Sequence, residues 1–124
     1  MVSPTWDVGA QRVDVGGAVW SLPHGGDLDA NLVCLAPGGS IGLHVNNEVD
    51  VLVLVRSGSG SLHIDDERFD LRDDVVALIP KGTARSIEAG AAGIAYVTVH
   101  QQRGPLTITP RGMTTKGSVE HGPI

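Results

Sequence analysis

Gly39-Ser40-Ile41-Gly42-Leu43-His44-Val45-Asn46-Asn47-Glu48-Val49-Asp50-Val51-Leu52-Val53-Leu54-Val55-Arg56-Ser57-Gly58-Ser59-Gly60 is the stretch on which the reading of this chain turns. It carries no helical period. Short runs of Val, Ile and Leu are interrupted by Gly, Asn and Ser, the residues that punctuate strands. Positions 51–55 are all apolar, so both faces of that strand are expected to be covered, as in the centre of a sheet.

The same pattern extends in both directions. The chain holds 17 glycines and 7 prolines, and they separate candidate strands at 18–22, 30–36, 40–45, 49–56, 60–64, 68–71, 75–79, 86–89, 94–101 and 106–109. No helix is expected. Many short strands with frequent turn signals read as an all-β sandwich or barrel. Asp65-Asp66-Glu67 reads as a hairpin connection, because Asp tolerates the left-handed backbone such turns require. Asn46-Asn47 reads the same way, which sets His44 roughly opposite Val49 with Glu48 and Asp50 within reach. Ser57-Gly58-Ser59-Gly60-Ser61 reads as a turn; a phosphate loop would need a helix N-terminus after it.

Length and charge narrow the function classes. At 124 residues the chain is one domain, 1–124, with a core expected over about 16–109 and a loosely held C-terminal arm at 110–124. Nine basic and 14 acidic residues give a net charge of -5, and the aromatic rings are two Trp, one Tyr and one Phe. That balance argues against a nucleic-acid binder, which wants a basic stripe and stacking platforms. Cys34 is the single cysteine, so no internal disulfide can form and a reducing cytoplasm is expected. No apolar run approaches the roughly 20 residues of a membrane span.

The run from Gly38 to Gly58, with Pro80-Lys81-Gly82-Thr83-Ala84-Arg85 after it, resembles the two conserved motifs of the cupin superfamily. The resemblance covers about 30–101 and implies a jelly-roll barrel, a double-stranded β-helix of antiparallel strands. Cupin motifs supply three histidines and one glutamate to a metal in the barrel mouth. Here His44 stands at the first histidine, Asn46 at the second and Arg85 at the third, while Asp50 falls at the glutamate with Glu48 close enough to compete. Pro80 and Gly82 match; Asp73 replaces a leading glycine. Small cupins commonly dimerise by extending sheets across two subunits, and the resemblance implies a homodimer here.

The chemistry follows from these substitutions. A transition metal wants three or four lone-pair donors at about 2.0–2.3 Å. His44 with Asp50 or Glu48 provides two, and Arg85 has no lone pair and repels a divalent cation. No cofactor is therefore the expectation. A divalent Fe, Mn, Ni or Zn would require His44, Asp50 and Glu48 to converge. Arg85 suits either an internal pair or an anionic small molecule. His44, oriented by Glu48 or Asp50, has the makings of a general acid or base. On strand 94–101, alternation puts Tyr96, Thr98 and His100 on one face, and Tyr96 and His100 would line a pocket with Arg85 and Asn46. Cys34 reads as a small core residue.

Two classes of function fit. One is a small-molecule-binding barrel with a degenerate metal site, a ligand-binding protein or a metal-independent isomerase or cyclase. The other is a metal-dependent cupin enzyme, of dioxygenase or isomerase type, with a non-standard ligand set.

Overall fold

The computed structural model describes residues 5–10, 16–23, 26–102 and 124. After a 3₁₀ turn at Val8–Ala10 come seven strands: β1 (Gly17–Ser21), β2 (Leu28–Leu35), β3 (Ser40–Val45), β4 (Val51–Ile64), β5 (Glu67–Arg72), β6 (Val76–Ile79) and β7 (Ala84–Gln101). All pairs are antiparallel. The order is β1-β2-β7-β4-β5, with β3 added to β7 and β6 added to β4. The all-β expectation holds. The expected strand at 106–109 and most of the arm lie outside the described residues. Ile124 is buried in the core.

The framework is the long pairing of β4 with β7. Glycines divide each of them in two in the local sequence pattern, with a turn expected at 57–61. The ladder runs on, from Leu52↔Val99 through Gly58↔Ile94 to Ile64↔Arg85, with irregularities at Val55/Ser57 and Gly58/Gly60. A bulge bends a strand without ending it. Gly58 takes φ 96, and a Cβ there would run into the Gly93 carbonyl. Gly93 takes φ 73 facing it. These glycines let two backbones approach at the bend, so the β4–β7 pair folds over on itself into two arms.

One arm carries β2 and β6, the other β3 and β5. Inside, Val33, Val51, Val53, Val55, Leu62, Leu71, Ile79, Ile87, Ile94 and Tyr96 form one core. Each fully buried aliphatic contributes roughly 1.5–3 kcal/mol. The hairpin at 65–66 is a two-residue turn, since Ile64 faces Glu67, and Asp65 takes φ 52 as its position demands.

The second expected hairpin is absent. Asn46 Oδ1 accepts from the amides of Glu48 (2.9 Å) and Val49 (3.3 Å), making a side-chain turn that carries the chain across the barrel instead of back along β3. His44 therefore lies opposite Arg85 on β7, not opposite Val49.

Candidate functional site at the barrel mouth

The bend at Gly58 and Gly93 closes one end of the barrel, so the far ends of β4 and β7 form the other. There Arg85 and His44 come from one arm, Thr98 and His100 from the other, and the loops at 46–50 and 80–83 bridge them. Arg85 is completely buried. Its Nη1 donates to the carbonyls of Thr83 (2.8 Å) and, at longer range, Asn46 (3.5 Å), and Nη2 donates to that of Pro80 (3.3 Å). The residue at the third histidine position is thus a cross-brace between the loops that rim the mouth.

Asn46 is buried, and its two accepted amide hydrogen bonds fix which way its amide points. The NH₂ group is the free end, a donor. His44 Nδ1 sits 2.8 Å from the carbonyl of Gly42, which only accepts, so Nδ1 carries the proton and Nε2 of the neutral ring keeps its lone pair. Tyr96 and Thr98 are wholly buried on the inward face of β7, between Val33 and Val55 and between Asn31 and Val53. Burial first, and the neighbouring Cys34 second, push the Tyr96 phenol well above its ordinary range, so its hydroxyl remains a donor.

His44 Nε2, Asn46 Nδ2, Tyr96 Oη and Thr98 Oγ1 share one property: each is buried with no hydrogen-bond partner among the described residues. A polar atom shut away from water without a partner costs about 1–3 kcal/mol. Four in one small barrel is a substantial cost for the protein alone.

The remaining candidates are engaged with backbone groups or exposed. His100 is buried, but its Nδ1 is engaged 2.8 Å from the carbonyl of Gln101. Glu48 and Asp50 are both exposed. The Asp50 carboxylate accepts from the Lys81 amide (2.8 Å), pinning one rim loop to the other. The Asn46 turn ends strand alternation at that point, so Glu48 and Asp50 sit on the exposed rim loop and not on a strand paired with β3. Thr98 was visible to alternation as a neighbour of Tyr96, yet its hydroxyl attracted no role because a lone threonine in a strand is commonplace.

A metal set does not assemble from these groups. Asn46 presents its NH₂, Arg85 is cationic and Asp50 faces a backbone amide. Among the described residues no three His, Cys, Asp or Glu side chains gather where a metal ion could be held.

With the double-stranded β-helix and its motif positions in place, the family follows. Residues 31–100 match the model for the cupin domain, and the chain belongs to that family. Solved structures agree on the fold. TT1209 from Thermus thermophilus superposes with TM-score 0.70 at 18% identity, over 82% of this chain and 100% of that one. An uncharacterised conserved protein with a double-stranded β-helix domain from Klebsiella pneumoniae gives 0.69 at 19%, over 81% and 90%. KdgF from Halomonas sp. gives 0.63 at 19%, over 68% and 77%. No curated protein sequence matches the chain. Among the described residues no helix is long and apolar enough to cross a membrane.

Proposed function

We propose that this cupin barrel binds a small, oxygen-rich molecule at its mouth without help from a metal. The observation that carries the reading is the set of buried polar atoms on His44, Asn46, Tyr96 and Thr98 that lack protein partners among the described residues. Asn46 Nδ2 is a donor, His44 Nε2 an acceptor, and the Tyr96 and Thr98 hydroxyls can each donate and accept. The complement is a compound with several oxygens, hydroxyls among them. The positive charge of Arg85 at the same mouth suits a carboxylate on that compound. A hydroxy acid or sugar acid meets all these demands.

A second reading rests on His44 alone. Its Nδ1 proton is held by Gly42, so Nε2 is poised as a base, which suits a metal-independent isomerase or cyclase that moves a proton on the bound molecule.

The test is thermal unfolding with lactate, malate, citrate, glucuronate and glucose as probes, on the wild type and His44→Ala, with elemental analysis of the same protein. We expect at least one acid to raise the wild-type Tm, a smaller rise or none in His44→Ala, and metal-free protein throughout. If no probe shifts the wild type, the oxygen-rich ligand class is wrong. Stoichiometric metal that disappears in His44→Ala would replace this reading with the metal-dependent one.

A further inference from the structure

β5 and β6 both pair with β4, on successive halves of that strand, and among the described residues with no other strand. Because β4 folds over between those halves, β5 and β6 are edge strands of opposite arms, and the wall of the barrel is unpaired along that side. The registers show what this does to the interior. Phe69 pairs with Leu62 and Leu62 with Ile87, so all three share the inward face of their arm. Phe69 is nevertheless 41% exposed, while Leu62 and Ile87 are buried. An aromatic ring on the inward face that still meets solvent marks an opening into the core.

That opening is a cleft of about 550 Å³ between the two edges. Its floor is Leu62, Ile64, Phe69 and Leu71 from one arm and Val75 and Ala77 from the other. Leu62 and Leu71 belong to the core, and Ile64, Val75 and Ala77 pack against it. Alternation turns the intervening side chains to the rim: Arg68, Asp70 and Arg72 on β5, Val76 and Leu78 on β6. Asp70 is paired with Arg68 at 3.1 Å. Arg72 then leaves this rim with one positive charge in excess, in a chain whose net charge is -5. His44, Asn46, Arg85, Tyr96 and Thr98 do not line the cleft, so it is separate from the site at the mouth.

We infer that this cleft is a second ligand site, for an aliphatic carboxylate. The alkyl chain lies between the arms on Phe69 and the apolar floor, and the carboxylate meets Arg72 at the β5 rim. The volume is that of a small-molecule site, and an apolar floor that opens to water favours a ligand able to cover it. The excess charge selects the head group, because a guanidinium pairs with a carboxylate and repels a cation. The apolar β6 rim offers nothing to a second polar group, so the fit is to a chain with one charged end.

The experiment is isothermal titration calorimetry with octanoate, butyrate and octyltrimethylammonium, each below its micelle concentration, on the wild type, Phe69→Ala, Arg72→Gln and His44→Ala. Circular dichroism checks that each variant is folded, and sedimentation equilibrium follows its association. Octanoate should bind saturably at one per chain, and butyrate and octyltrimethylammonium at least roughly tenfold more weakly. Phe69→Ala should weaken octanoate at least roughly tenfold and Arg72→Gln at least roughly threefold. Should Phe69→Ala fail to fold, Phe69→Thr keeps a strand-favouring residue and carries the same expectation. Absence of saturable octanoate binding overturns the inference, as does equal affinity for octyltrimethylammonium or an affinity that Phe69→Ala leaves unchanged. A loss of octanoate binding in His44→Ala would put the acid at the mouth and overturn it too. So would octanoate uptake only as a self-associated form dissociates, which would give the cleft to a second copy of the chain.

Discussion

The two ends of this barrel are built on opposite principles. At the closed end, Gly58 and Gly93 bring backbones together and Leu62, Leu71, Ile87 and Ile94 fill the space with apolar volume. Toward the mouth, β7 presents Arg85, Tyr96 and Thr98 inward and β3 contributes His44, and polar atoms of His44, Tyr96 and Thr98 have no protein partner among the described residues. The closed end devotes its residues to stability. The mouth holds buried polar groups at a cost that a bound molecule would offset. Substitutions at the two ends should therefore differ in kind as well as size.

The largest effect is expected at the bend. Gly58→Val forces a β-branched residue into φ 96 and drives its Cβ into the Gly93 carbonyl. Neither backbone can yield without breaking the β4–β7 ladder, so the loss should be on the order of 4 kcal/mol or more. Urea unfolding should show little folded protein. A near-native midpoint would mean the bend is not what shapes the barrel.

Within the closed end, Leu62→Ala leaves a cavity in a fully buried site. It should cost about 2–5 kcal/mol, read as a lower urea midpoint with an unchanged slope. Ligand binding at the mouth should survive it.

A smaller effect separates the ends by pH. The Cys34 thiol is raised from its ordinary 9.0 by burial, against a lowering by Arg56, and the Tyr96 phenol is raised from 10.0. In both, the folded state holds its proton more tightly than the unfolded state. The stability they contribute is intact below about pH 9 and falls as pH climbs past the unfolded values. Tyr96→Phe should flatten the fall above pH 10, and Cys34→Ala the part that begins near pH 9. Parallel curves for wild type and Tyr96→Phe would show that the phenol ionises freely.

The fold was legible in sequence because its cause is local: apolar runs, turn residues and Asp at a left-handed position are all read from neighbours along the chain. The continuity of β4 and β7 was not, since a glycine that permits a bulge and a glycine that ends a strand look alike until the partner strand is known. The site was legible in part. His44, Asn46, Arg85 and Tyr96 were picked out by motif position or strand alternation. That His44 faces Arg85 depends on a pairing between distant segments, β3 with β7, which no local pattern reveals. The outward placement of Glu48 and Asp50 depends on the Asn46 side-chain turn, which interrupts the alternation used to judge them.

The central claim is that the hydroxyls at the mouth are held in reserve for a ligand. It is tested most directly by the unfolding free energy of ligand-free Tyr96→Phe with Thr98→Val against the wild type. Both substitutions keep shape and remove a buried oxygen without a protein partner among the described residues. The double variant is predicted to be as stable as the wild type or more stable, by up to about 2 kcal/mol. A loss of more than about 1 kcal/mol per hydroxyl would mean that these groups are already satisfied within the protein, and would contradict the claim.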